Sequence, residues 1–226
     1  MTESRFEDRL AEVRGRIAAA AGRSGRPAGA VRLIGASKTV PAARLAVAVA
    51  AGLADLGENR VQEAEEKIPV VVPRPRWHLI GHLQSNKARR AAALFDCIQT
   101  VDSARLGLAL ERHLAELDRP APLDVLVEVN VSGEAAKHGA APGDALALVA
   151  SLRRECPRLA VRGLMTVGPL VAEPDLARPA YRLLASLARS AGLHELSMGM
   201  SGDFEVAIEE GATMVRVGSA LFGARG

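Results

Sequence analysis

Eight short apolar runs, each followed by a helical stretch or a turn, constrain this chain more than any other feature. The runs are VRLIGAS (31–37), ADLG (54–57), WHLIG (77–81), CIQTV (97–101), DVLVEVNV (124–131), VRGLMTV (161–167), HELSM (194–198) and TMVRVG (213–218). Helical patterns fill the intervals at 41–52, 59–67, 84–94, 103–117, 142–155, 175–191 and 203–210. Alternating strands and helices predict an α/β fold with a parallel sheet, and eight such units predict one closed (β/α)8 barrel of the TIM type. An extra N-terminal helix is predicted over 2–22, where Phe6, Leu10, Val13 and Ile17 recur at three- and four-residue spacing. That helix either closes the bottom of the barrel or packs beside the last strand. No composition shift or long linker divides the chain, so residues 1–226 are expected to form a single domain.

Composition narrows the function. Hydrophobic residues make up 49% of the chain, enough for a sizeable core, yet there are only four Phe, one Trp and one Tyr. The net charge is +3, and basic clusters such as NKARR (86–90) carry no interleaved aromatics, so no nucleic-acid partner is expected. Cys97 and Cys156 lie far apart with no CxxC, which suits a reduced intracellular protein, and no metal site is expected. The charged N-terminus is unlike a signal peptide, and the uncharged run Leu45–Ala54 is too short to span a bilayer. A cytoplasmic protein with no membrane partner is the expectation.

The residues that could carry chemistry follow from the barrel. Active sites in this fold lie at the C-terminal ends of the strands. Those ends carry Ser37 and Lys38, Glu58 and Asn59, His82, Asn130, Met165 and Thr166, the loop SMGMSGD, and Arg216 running into VGSALFG. Of 29 basic residues only four are lysines, Lys38, Lys67, Lys87 and Lys137. Arginine does not give up its proton in a protein, so any amine nucleophile must be one of these four. Lys38 ends the first strand. It could be a rim lysine reaching for solvent, or a desolvated amine. Barrels often bind phosphate in the loops after strands seven and eight. Here Ser201-Gly202 and Gly218-Ser219 occupy those loops. Taken singly, Ser201 and Ser219 read as helix caps. Two such loops side by side shift the reading toward an anion cradle. A phosphate held there, with Lys38 facing it, describes a seat for pyridoxal 5'-phosphate, whose aldehyde condenses with an amine to an imine.

The stretches ASKT (36–39), LGENRVQEAEEK (56–67), WHLIGHLQSNK (77–87), VEVNVSGEAAKHG (127–139), RGLMTV (162–167) and LSMGMSGDFEVAIEEGATMVRVGSALFG (196–223) together resemble the YggS/PROSC family, the pyridoxal-phosphate homeostasis proteins. The resemblance covers essentially the whole chain. It implies a barrel like the N-terminal domain of alanine racemase, a monomer, and a cofactor bound through Lys38. It further implies phosphate contacts from Ser201, Gly218 and Ser219, Arg216 at the pyridine nitrogen, and Asn59 near the ring; Gly202 joins the expected cradle through its backbone N–H. Gly202 stands where an acidic residue or alanine is more usual, and Ser219 where threonine is common. Met165 and Met198 read first as strand-end packing, although Met198 is included in the expected cofactor set. His82 reads as loop packing before a cofactor contact, and Lys137 and His138 as a solvated loop. Glu58 could accept a proton, and Cys97 reads as inert core.

The family implies intracellular homeostasis and supply of the cofactor, with apo-enzymes that need it as partners and little or no catalysis. The alternatives are an amino-acid racemase using the same cofactor, and a phosphate-binding barrel enzyme without it. Racemisation needs a proton donor or acceptor on each face of the substrate. Tyr181, the single tyrosine, is expected within a helix away from any strand end. Arg216, a permanent cation, should leave the pyridine nitrogen unprotonated and the ring a poor electron sink. Both points favour binding over turnover.

Overall fold

The computed structural model describes residues 3–117, 119, 121–134, 136–169 and 171–223. Eight strands close into one parallel barrel in sequence order. They are β1 (Arg32–Ala36), β2 (Asp55–Glu58), β3 (Arg76–Leu79), β4 (Cys97–Val101), β5 (Leu123–Glu128), β6 (Leu159–Met165), β7 (Glu195–Ser197) and β8 (Met214–Val217). The helices on the outside are α1 (Glu3–Arg23), α2 (Ala42–Ala50), α3 (Val61–Lys67), α4 (Ala88–Leu94), α5 (Ala104–Leu114), α6 (Ala145–Glu155), α7 (Arg178–Ser190), α8 (Phe204–Glu209) and α9 (Ser219–Phe222). Closure is made by β1 on β8, with Ile34 opposite Arg216 and Gly35 opposite Val217.

Side-chain alternation sorts each strand into two environments. Ile34, Leu126, Met165 and Met214 form a small apolar cluster inside the barrel. The opposite parity, including Leu56, Leu79, Ile98, Val125 and Leu164, joins the larger core under the helices. Both faces of most strand positions are therefore buried, the exceptions lying mainly at the strand starts and at the exposed Arg162 of β6, which is why the strands read as nearly continuous apolar runs. At Gly163 a Cβ would lie 1.9 Å from the Glu195 carbonyl oxygen, so β6 and β7 can approach only through glycine.

The predicted elements are all present, with displaced ends. The strand at 97–101 matches its predicted bounds; the run 124–131 ends early, at Glu128. Beyond it the chain folds back on itself: Ala140 N–H donates to the Glu128 carbonyl at 2.8 Å, and Asn130 N–H to the Ala140 carbonyl at 2.9 Å. The helices predicted from 84, 142 and 175 each open with a 3-10 turn, at Ser85–Lys87, Pro142–Asp144 and Pro174–Ala177. Residue 2, where the first predicted helix begins, lies outside the described residues.

Helix α1 does not plug the bottom of the barrel. It packs beside the end of the chain, against α8 and α9. Phe6 stacks on Phe222 at 5.7 Å, and the Arg16 guanidinium sits 4.6 Å over the Phe204 ring while bonding Glu205 at 2.7 Å. Its buried stripe is Phe6, Leu10, Val13 and Ile17, as the spacing predicts. No helix among the described residues is long and apolar enough to cross a membrane.

Candidate functional site

Lys38 sits in a clamp built by its neighbours. Ser37, fully buried, places its Oγ 2.7 Å from Glu58 Oε1 and 3.0 Å from the Gly57 carbonyl, which share its one hydroxyl proton. Lys67, from α3, donates to the same Glu58 oxygen at 2.7 Å, to the Ser37 carbonyl at 3.0 Å and to Glu63 at 3.2 Å. On the other side Thr39 takes a left-handed backbone, φ 63°, and its N–H donates to Glu63 Oε2 at 3.0 Å. The residue between these anchors has little backbone freedom. Burial pushes the Glu58 carboxyl above its ordinary range despite the bonds from Lys67 and Ser37. Glu58 is therefore a buried structural anchor rather than a group open to substrate.

This arrangement separates the four lysines. Lys67 is consumed by the clamp, and Lys137 donates to Glu134 at 2.6 Å and to the Gly168 carbonyl at 3.0 Å. Lys87 lies on the 3-10 turn before α4. Lys38 lines an open cleft of about 440 Å³. The same cleft is lined by Ser201, Gly202, Arg216, Gly218 and Ser219, so six of the eight expected residues converge on it.

The cradle side of the cleft is braced from below. Gly218 N–H donates to Ser201 Oγ at 3.2 Å, tying the loop after β8 to the loop after β7. Asp203 accepts from Met200 N–H at 2.6 Å through one oxygen and from the Tyr181 hydroxyl at 2.6 Å through the other. The turn also needs Gly199: its φ is +91°, and a Cβ there would meet Ala207 at 2.6 Å. Gly202, by contrast, faces open space. The Tyr181 bond corrects the expectation that this tyrosine lies away from the strand ends. It starts on α7, but its long side chain reaches the β7 loop and packs under Gly168. Burial, and then Asp203, hold its hydroxyl protonated far above the usual range.

Arg216 is 4% exposed. Its Nη2 donates to the Thr166 carbonyl at 2.7 Å and its Nη1 to Ser197 Oγ at 2.6 Å. Burial lowers its pKa, yet a guanidinium stays charged in a protein. From Ser197 a hydrogen-bond chain crosses the barrel. Ser197 Oγ donates to Gln99 Oε1 at 2.6 Å, the Gln99 amide meets His78 Nδ1 at 3.1 Å, and His78 Nε2 meets Asp55 Oδ1 at 2.8 Å. The polarity is fixed by the ends. A carboxylate only accepts, so His78 donates from Nε2 and accepts at Nδ1. Burial lowers the His78 pKa, keeping the imidazole neutral. Every link then donates in one direction, from the Arg216 cation to the Asp55 anion. None of this chain beyond Arg216 was anticipated from sequence.

Two expected residues fall outside the cleft lining. Met198 is fully buried in the core between barrel and helices, because Ser197 beside it points inward. Asn59 is half-buried in the loop after β2, with its backbone against Gly81. His82, exposed at the mouth, stacks on His138 with ring centres 3.6 Å apart. Glu128, 5% exposed, keeps one oxygen without a partner, and burial raises its pKa to about 7. Cys97 is buried, which pushes its thiol far up and leaves it unreactive.

Comparison with known proteins places the family. Residues 10–226 match the family described as alanine racemase, N-terminal domain. The Pyridoxal phosphate homeostasis protein of Pseudomonas aeruginosa is 44% identical, over 98% of this chain and 96% of its own length. The chain belongs to the pyridoxal phosphate homeostasis protein family. The human protein of the same name is 39% identical over 88% of this chain and 78% of its own. PipY of Synechococcus elongatus, solved with PLP bound, superposes with a TM-score of 0.79 at 38% identity, covering 96% of this chain and all of that one. Alanine racemase of Clostridium difficile shares the fold, with a TM-score of 0.70 at 14% identity.

Proposed function

We propose that this protein binds pyridoxal 5'-phosphate in the cleft at Lys38 and serves its intracellular homeostasis and supply to apo-enzymes. The observation that carries the reading is one cleft lined together by Lys38, Ser201, Gly202, Gly218, Ser219 and the buried Arg216. The cofactor supplies an aldehyde that condenses reversibly with a primary amine. Lys38 provides that amine, since Lys67 and Lys137 already hold protein acceptors. Ser201 and Ser219 offer hydroxyl donors to a phosphate, and Gly202 and Gly218 let backbone N–H groups approach it. The cradle fits the group: Gly202 has no atom within 4 Å of a Cβ position, leaving room for an anion. Arg216 lines the cleft and would be the donor to the pyridine nitrogen; as a permanent cation it would not help that nitrogen hold a proton.

The same residues argue against efficient racemisation. A second acid or base is required opposite Lys38. The Tyr181 hydroxyl donates its proton to Asp203 and is held protonated, so it is not available as the base. The test is borohydride reduction of the loaded protein followed by peptide mapping. The label is expected on Lys38; a label on Lys67, Lys87 or Lys137 with Lys38 clean overturns the assignment. Racemisation of alanine at ordinary enzyme rates, lost in Lys38→Ala, would establish the racemase instead.

A further inference from the structure

Across the mouth from the phosphate cradle, three loops bring together side chains that the cofactor site does not use. His82 follows β3, Asp102 follows β4, and His138 lies in the loop after β5. The ligating atoms of the three all lie within 4.8 Å of one another. We propose that His82, Asp102 and His138 bind one divalent transition-metal ion of the zinc class.

The donor set is the first support. Two imidazoles and one carboxylate are the ligand types that zinc and its neighbours take, and three protein ligands leave a coordination position open. The spacing is the second. His82 Nδ1 lies 3.4 Å from Asp102 Oδ2, longer than a usual N–H···O hydrogen bond. Ligands about 2.1 Å from a tetrahedral ion stand about 3.4 Å apart, so this edge is already at a ligand–ligand distance. The ligating atoms lie within 4.8 Å of one another, and two ligands about 2.1 Å from one ion stand at most roughly 4.2 Å apart, so a turn of one imidazole is enough to bring every pair into range. The rings stack with 8° between their planes, so binding tilts one ring out of the stack to aim both nitrogens at one ion. Both histidines are exposed, which permits the tilt and gives an ion access from solvent.

The surroundings hold the ligands in place, as supporting groups do around metal centres. Ser103 Oγ donates to Asp102 Oδ1 at 3.0 Å, leaving Oδ2 toward His82. The loop that carries His138 is braced by Asn130, which donates to the Glu134 carbonyl at 2.9 Å and the Lys137 carbonyl at 3.3 Å. Lys137 ties the same loop to Gly168. An ion here would join the loops after β3, β4 and β5 and face its open position into the mouth.

The test titrates Co2+ into tag-free, cofactor-loaded protein and reads the d–d absorption, with Zn2+ as competitor. The wild type is expected to take one Co2+ per chain and to release it to Zn2+. His82→Ala, His138→Ala and Asp102→Asn should each weaken binding by at least about tenfold, a loss that supporting groups alone can cause. Retained cofactor absorbance and circular dichroism show that the variants are folded, and His194→Ala, a remote exposed histidine, should bind as wild type. No uptake by the wild type, or wild-type affinity in any of the three variants, overturns the proposal. Chelation by the cofactor itself would persist in all three.

Discussion

Replacing Ser197 by alanine tests whether the chain through the barrel holds Arg216. The hydroxyl makes two bonds, accepting from Arg216 Nη1 and donating to Gln99 Oε1, each at 2.6 Å. The variant keeps nearly the same volume but orphans both partners. An unsatisfied buried neutral group costs about 1–3 kcal/mol, and a broken buried charge about 3–5 kcal/mol. Arg216 keeps its bond to the Thr166 carbonyl, so the sum is set at about 3–5 kcal/mol rather than the full total. With a urea slope of about 2–3 kcal/mol per molar, the unfolding midpoint should fall by roughly 1–2.5 M without a change in slope. A typical domain has about 5–15 kcal/mol to lose, so the protein should remain folded in buffer. Cofactor affinity should drop as well, since the guanidinium that lines the cleft loses one of its two anchors.

The chain also predicts coupling. Gln99→Leu breaks the next link, and its effect should not add to that of Ser197→Ala, because residues in one hydrogen-bond network share the loss. Additive costs, or a loss below about 1 kcal/mol in Ser197→Ala with unchanged cofactor affinity, would refute the positioning role.

Three further outcomes are expected. Ser201→Ala with Ser219→Ala should weaken pyridoxal 5'-phosphate by one to a few powers of ten, at about 1.5–3 kcal/mol per charge-assisted bond, and leave binding of pyridoxal without phosphate nearly unchanged; equilibrium titration of both vitamers checks this. Lys67→Met should leave Glu58 buried without its cation and cost about 3–5 kcal/mol in denaturant unfolding, while borohydride still labels Lys38. Glu128 has a folded pKa of about 7, raised by burial from 4.5, so it favours the fold fully below its unfolded value, and that contribution is lost as pH rises through 7. Glu128→Gln should remove this slope, making the cofactor-free variant more stable than wild type at pH 8 by up to about 3 kcal/mol, with equal pH profiles as the contrary result.

What the sequence revealed, and what it hid, follows from distance along the chain. The barrel was legible because βα alternation is local, and β4 matched its bounds for the same reason. Lys38, Arg216 and the two serine–glycine loops were legible because a strand end in a barrel has a known face. The place of Met198 is readable from parity: in HELSM the polar Glu195 and Ser197 share one face and Leu196 and Met198 the other, so Met198 points with Leu196 to the helices. His78 in WHLIG and Gln99 in CIQTV carry the same mark, a polar residue inside an apolar strand. Singly, each reads as a tolerated exception. Their meaning depends on closure: only when β8 returns to β1 do β4 and β7 face each other across a lumen narrow enough for Gln99 to reach Ser197. Lys67 was hidden for the same reason. Its helical partner Glu63 is four residues away and readable, but the Ser37 carbonyl it holds is 30 residues away. The residues that line the cleft sit where the fold rule looks. Those that fix their position are set by contacts across the barrel, and no periodicity encodes them.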